Sequence, residues 1–524
     1  MPRRTFFHAA ALAAAALAAA HCSVIVDSEL APGGVGAACT QSSECQAGSC
    51  DANGLCTAAC SSNADCPAPT ACFAGSCQRP LRAAALWVGV AAGGEGWTLT
   101  HDQGMQDAAA SLPYLTWTKK ENVVSEADIG LAIDEFVAGG ADVIVANSFS
   151  QRDATLKKAE EYPGVKFLVC QSYKSNGKNA DSYAAHGEQA WWIAGKVAGT
   201  KAIALGSQPH RLGFVGSFIT PETVRHVAAF YLGARSVDPT VTLEVQWMGF
   251  WSDLTRAPQF EYTVKAGHEG KGETAGETKR YFYEQLLARR LIDHGATVVA
   301  HGADNQRVVK LVDDLAIAGV SSVSNDNPNA FKALAAQPDG ESLPTGAPLA
   351  TCLGSPYWNW GPQYVEIFSE IHRNVWDPTA SRNAVMTADL AASVVGFNLN
   401  PVAGVDDSIV KGFVNDIAAA GWQSIYAGPY PTTGQRDRDG DGASDAVQAV
   451  GAGDTMTEEE WQRMCWFPRG IVERIPADSD DAATEVPAQV PDATFEADPR
   501  RAAQRAEMTT AAFPGLSFNC NTNR

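Results

Sequence analysis

Leu86-Trp-Val-Gly-Val-Ala-Ala-Gly-Gly-Glu-Gly-Trp97-Thr-Leu-Thr-His101 joins a short apolar run to a glycine-rich turn that ends on an indole and an imidazole. A strand read over residues 86–90, a turn, and a helix starting near Thr100 form a familiar arrangement. It is how an open α/β sheet offers side chains to a small ligand at the carboxyl ends of its strands. The turn lacks the Lys-Ser/Thr of a P-loop and the full dinucleotide spacing. The Trp97 ring also blocks the close backbone approach that a pyrophosphate needs. A flat, uncharged ligand fits this turn better.

Downstream, strand and helix signals alternate. Val143–Ala146 and Lys166–Cys170 read as buried strands, with helices over Glu126–Ala138 and residues 154–161. A second series starts at Leu212-Gly-Phe-Val-Gly216. It runs through a helix (222–234), a strand (241–247), a helix (280–294), a strand (297–300), a helix (305–318) and a strand (321–324). Two such series imply two doubly wound parallel-sheet lobes. Residues 391–398 and 425–429 read as strands returning to the first lobe, and the Gly/Glu/Lys-rich 266–278 as a solvated insertion.

Residues 1–22 read as an export signal, with Arg3 and Arg4 before an Ala/Leu run, and Cys22 stands where a lipid-accepting cysteine is expected. No other stretch approaches the ~20 apolar residues of a membrane-spanning helix. Thirteen cysteines agree with an oxidising compartment. Eight of them, Cys39, Cys45, Cys50, Cys56, Cys60, Cys66, Cys72 and Cys77, fall in two similar halves with hardly an aliphatic residue between them. Disulfides are expected to replace the missing core, in a pairing that the spacing does not choose. Zinc is the competing reading, but the run has no Cys-x2-Cys pair and no histidine. The formal charge of -20 argues against nucleic acid and anionic membrane as partner surfaces. The Asp437-x-Asp439-x-Asp441-Gly-x2-Asp445 run offers the alternating carboxylates that Ca²⁺ prefers, without the acid that closes an EF-hand loop. A structural Ca²⁺ is expected there, and no other cofactor is required.

Eight blocks in order across residues 86–476 resemble the basic membrane protein family of ABC-transporter solute-binding lipoproteins, in its purine-nucleoside-receptor-like group. They are Glu95-Gly-Trp97-x3-His101-Asp-x-Gly104, Asn147-Ser-Phe149-x3-Asp153, Glu161-Tyr-Pro-x3-Phe167 and Ala194-Gly-Lys-Val-Ala-Gly199. Then follow Phe230-x2-Gly-Ala-Arg-Ser-x-Asp-Pro239, Trp247-x3-Trp251-x-Asp253, Trp358-Asn-Trp-Gly-Pro-x-Tyr364 and Trp466-x3-Gly-Ile-Val-x2-Ile-Pro476. The resemblance implies a periplasmic-binding-protein-like α/β fold whose two lobes close over a ligand at a hinge. It also implies a purine base or nucleoside as ligand, an ABC permease as partner, and no catalysis. The chain departs from the family at Glu95, where Asp is usual, and lacks the lysine expected near the last hinge block.

The division expected is a signal segment (1–22), a linker and disulfide-rich module (23–80), first lobe (84–208) and second lobe (209–350). A hinge and return to the first lobe (351–476) and an acidic tail (477–524) complete it. Candidate ligand contacts are Glu95, Trp97, His101, Ser148, Phe149, Glu222, Trp251, Asp253, Asp326, Trp358 and Asn359. Trp97 and Trp251, one from each lobe, are expected to sandwich the ring. A lipid-anchored, extracytoplasmic monomer is the expected state. A surface sensory or adhesive receptor, using the cysteine module to engage a partner, is the rival reading.

Overall fold

The computed structural model describes residues 33–474 apart from 47, 53, 92–95, 207–209, 218, 250, 252–257, 259, 327–348, 402–403, 433–448 and 465. Cys22, Glu95, Asp253, Cys465, Cys520, the Asp437–Asp445 carboxylates and the acidic tail therefore lie outside the described residues.

The described residues form two compact units, one ending at Arg79 together with Tyr162–Gly164, the other built from Pro80–Glu161 and the chain from Val165. In the first unit each half joins its first cysteine to its third and its second to its fourth. The bridges are Cys39–Cys50 and Cys45–Cys56, then Cys60–Cys72 and Cys66–Cys77. Each half folds on a small antiparallel ladder, Ser49–Cys50 with Cys56–Thr57 and Ala71–Phe73 with Ser76–Gln78. With all eight sulfurs bridged, no thiolate of this set remains for zinc. Cys170 and Cys352, outside this module, are buried thiols.

The second unit opens with β1 (Leu81–Leu86), α1 (Gly96–Ser111), β2 (Leu115–Lys120), α2 (Glu126–Ala138), β3 (Val143–Ala146), α3 (Arg152–Glu161), β4 (Lys166–Cys170) and β5 (Ala180–Ala185). It continues with α4 (Glu188–Leu205), β6 (Arg211–Gly216), α5 (Pro221–Val237), β7 (Thr242–Trp247), β8 (Phe260–Thr263), β9 (Thr278–Tyr281), α6 (Tyr283–Asp293), β10 (Val298–His301), α7 (Arg307–Leu315) and β11 (Ser321–Val323). Last come β12 (Gly354–Trp358), α8 (Gly361–His372), β13 (Val395–Leu399), α9 (Asp407–Ala420), α10 (Glu458–Arg463) and β14 (Ile471–Arg474).

Two parallel sheets result. The first lobe orders its strands β5-β4-β3-β1-β2, with Asn383–Ala384 added beside β5; the second orders them β11-β10-β6-β7-β14. The chain changes lobe after β5, along β12 and along β13, and these last two pair antiparallel as the hinge ladder. This is the periplasmic-binding-protein-like α/β architecture expected from the sequence. Helix starts follow local chemistry. Ser125 caps α2 by accepting the Asp128 N–H, and Thr220 caps α5 ahead of Pro221.

Several boundaries differ from the sequence expectation. The first strand ends at Leu86 instead of starting there, because Ala83, Ala84 and Ala85 are buried strand residues that weak β-propensity conceals. The helix expected from Arg280 starts at Tyr283, since Thr278–Tyr281 pairs with Phe260–Thr263 in a hairpin. The insertion between them is not merely solvated: Glu273 is buried against Arg289 at 3.0 Å and accepts the Tyr281 hydroxyl at 2.6 Å. Trp422–Tyr426 is a 3-10 turn where a strand was expected. β14 completes the second sheet beside β7, so the final segment does not return to the first lobe.

α4 also belongs with the second lobe, although the sequence division placed it in the first. Its Trp191 ring lies 5.1 Å from Phe214 of β6, and its backbone runs tightly along α5. A Cβ on Gly195 would sit 1.9 Å from the Phe230 carbonyl oxygen. Gly195→Ala gains about 1 kcal/mol of helix propensity but forces two backbones apart. The clash wins, because neither partner is a flexible side chain. We expect a net loss of about 1–3 kcal/mol, read by denaturant unfolding.

Candidate functional site

Where the first lobe meets the hinge, four aromatic residues pack together. Trp97 stands in the first turn of α1 and donates its indole N–H to the Asn147 carbonyl at 2.7 Å, which ties it to the end of β3. Its ring meets Trp358 edge-on at 5.5 Å, Trp360 at 5.7 Å and His101 at 4.7 Å. Trp358 and Trp360, two apart at the end of β12, lie parallel at 5.3 Å. Offset stacking and edge-to-face contacts of this kind each add about 0.5–1.5 kcal/mol beyond burial.

His101 lies within this cluster. It is fully buried, stacks on Trp360 at 4.5 Å, and its Nδ1 is 2.6 Å from the Tyr364 hydroxyl, which meets the Tyr183 hydroxyl at 2.9 Å. Burial holds its pKa well below the ordinary value, so the ring is neutral. Asn359 spends its amide on the Ser393 and Ala391 carbonyls, at 3.0 and 3.3 Å, and so steadies the hinge.

The second lobe contributes acids. Asp326 follows β11 with a left-handed φ of 55° and accepts the Trp358 indole N–H at 2.7 Å. The lobes touch here: a Cβ on Gly96 would lie 2.7 Å from the Asp326 Cβ, so this approach requires glycine. Glu222, in the first turn of α5, accepts the Gln171 amide N–H at 2.6 Å from the loop after β4. Burial pushes both carboxyls up to about 7, Arg225 partly opposing it at Glu222 and the Trp358 bond at Asp326. Arg225, one turn along α5, donates to the Trp461 carbonyl and to the Tyr173 hydroxyl, and lies 3.9 Å over the Trp461 ring. His226 sits between Trp191 and Trp358, at 5.8 and 6.0 Å, and burial pulls its pKa down to about 3.

Of the residues expected at the site, Trp97, His101, Asp326 and Trp358 come together, and Glu222 bridges the lobes nearby. Ser148 caps the short Phe149–Gln151 turn by accepting the Ser150 N–H, with Phe149 in the same turn. Trp251 is placed by its carbonyl, which accepts the Asp304 N–H at 2.9 Å. Gln171, Arg225 and His226 were missed. One signal was available: Glu222, Arg225 and His226 share a helix face, and Gln171 directly follows a buried strand.

Residues 82–260 match the family described as Bmp, ABC transporter substrate-binding protein PnrA-like. A putative ABC transporter glucose-binding protein of Haloferax volcanii is 27% identical over 297 residues, covering 56% of this chain and 63% of its own length. A purine-binding protein of Brucella abortus is 26% identical over 282 residues, covering 54% and 66%. The match thus spans just under two thirds of either relative. Among solved structures, a solute-binding protein of an ABC transporter system from Conexibacter woesei aligns with a TM-score of 0.44 and 16% identity, covering 65% of this chain and 95% of that one.

Proposed function

We propose that this chain, whose residues 82–260 match the Bmp family, is the extracytoplasmic binding component of an ABC importer. It holds a purine-like ring between its lobes and passes it to a permease without chemical change. The observation that carries the reading is the juxtaposition of Trp97, Trp358 and Trp360 with the second-lobe carboxyl of Asp326, at the carboxyl ends of both sheets. Aromatic faces suit a planar heterocycle, and the carboxyls suit its ring-edge nitrogens. No helix among the described residues is long and apolar enough to cross a membrane. Attachment through a lipid on Cys22 accords with that.

The two relatives carry different ligand names, so the test includes both classes. Calorimetry with adenine, guanine, their nucleosides and glucose is run on the wild type, Trp97→Ala and Trp251→Ala. We expect purine binding, weakened by about 1–3 kcal/mol for each lost ring, the range for base–aromatic stacking. Glucose binding without purine binding would move the ligand to sugars. Unaltered affinity in both variants would discard the stacking sandwich.

A further inference from the structure

We propose that Gln171 and Tyr173 of the first lobe clasp Glu222 and Arg225 of the second and hold the cleft closed before any ligand enters. Tyr173 is then a positioning residue that sets affinity without touching the ligand. The clasp stands on its own contacts, and only the binding arm of its test rests on the ligand reading above.

The contacts form a circuit across the lobe boundary. Arg225 Nη2 donates to the Tyr173 hydroxyl at 3.1 Å, and that hydroxyl donates to Gln171 Oε1. Gln171 Nε2 donates in turn to Glu222 Oε1 at 2.6 Å. Glu222 and Arg225 stand three apart on α5, so they share a helix face and the circuit closes through one turn. The Tyr173 hydroxyl is the one oxygen in it that both accepts and donates.

Both sides are firmly mounted. On the first lobe, the Gln171 N–H donates to the Tyr183 carbonyl and the Tyr173 N–H to the Ser182 hydroxyl, each at 2.8 Å. These bonds fix the loop after β4 against β5. On the other side, Arg225 donates to the Trp461 carbonyl and lies 3.9 Å over the Trp461 ring. Its Nε is 4.0 Å from Glu188 of α4, which accepts the Trp461 indole N–H. Arg225 therefore stays aimed at the boundary whether or not Tyr173 reaches it.

The backbone marks the same two residues. Gln171 and Tyr173 have left-handed φ values of 55° and 50°. A residue with a Cβ is disfavoured there and persists only where its surroundings over-determine it. In this loop the strained residues are the two that reach across to α5. A site that binds only when closed has an apparent affinity scaled by its closed fraction. The clasp raises that fraction in advance.

The test compares the full-length wild type with Tyr173→Phe and Gln171→Ala by small-angle X-ray scattering and by calorimetry with adenine. Tyr173→Phe keeps the ring, which meets Trp461 edge-on at 5.5 Å, and removes only the hydroxyl through which the circuit runs. We expect the ligand-free variants to have a larger radius of gyration than the wild type, with far-UV circular dichroism unchanged. Saturating adenine should return them to the wild-type value, while the wild type itself keeps its dimensions. A closed population falling from nearly all molecules to about a tenth weakens adenine binding about tenfold.

Equal ligand-free radii in the wild type and Tyr173→Phe would overturn the clasp, whatever the affinities. So would a wild type that contracts on adding adenine, because its cleft would then be open before binding. Expanded variants that bind adenine as tightly as the wild type would remove the role in affinity. Expanded variants with no adenine binding by any of the three proteins would support the clasp and count against the purine reading instead.

Discussion

Trp358→Ala is expected to lower the stability of the second unit by about 3–5 kcal/mol, the cost of removing a large buried aromatic side chain. Three losses coincide at this position. The ring stacks on Trp360 and meets Trp97 edge-on, and its N–H is the donor to buried Asp326. Removing the donor leaves a buried acceptor unsatisfied, which adds about 1–3 kcal/mol of its own if the site does not relax. Trp358→Phe separates the terms in part, since it keeps one aromatic ring and removes the N–H together with the second ring of the indole. We expect it to cost about 1–3 kcal/mol and to push Asp326 further toward its neutral form, because the Trp358 bond favours the carboxylate. Denaturant unfolding of the three proteins checks the ordering. Equal stability of wild type and Trp358→Ala would show that this hinge ring packs against nothing of consequence.

Reduction is expected to unfold residues 33–79 while leaving the lobes folded. Each of the four bridges closes a short loop, with sequence separations of 11 or 12 residues. Loss of one native disulfide from a small exported domain typically costs about 2–5 kcal/mol. Val35 and Leu55 are the buried aliphatic side chains of this unit among its described residues, too few to compensate. The lobes have their own cores, and among their described residues the cysteines, Cys170 and Cys352, are already thiols with nothing to reduce. Hydrogen exchange of the full chain with and without reductant reads both halves of the expectation. Protection persisting across 39–77 after all eight thiols are freed would contradict it.

The alternation of strand and helix was legible because it depends on local periodicity. Glu126–Ala138, Val143–Ala146 and Lys166–Cys170 are found where the apolar pattern put them. Alanine-rich β1 was harder, since its residues are buried by what surrounds them and not by any strong preference of their own. Trp97 stood out because an indole is unusual beside a glycine-rich turn, and the structure sets it in the first turn of α1. His226 and Gln171 did not, as each acquires meaning only from partners on distant elements.

The sequence by itself determined the two-lobed parallel architecture, the bridged cysteine module and the aromatic character of the first loop. Those properties follow from side-chain spacing, from counting cysteines against apolar residues, and from residue type at a strand end. Only the tertiary structure decided that each cysteine half pairs first with third, that α4 lies with the second lobe, and that β14 closes its sheet beside β7. Only it brought His101 to Tyr364, 263 residues away, and set Asp326 against Gly96. Short-range pattern is written in chain geometry, whereas these pairings arise when several elements compete to bury the same surface. Which competitor prevails depends on how all of them fit at once, and no local stretch carries that information.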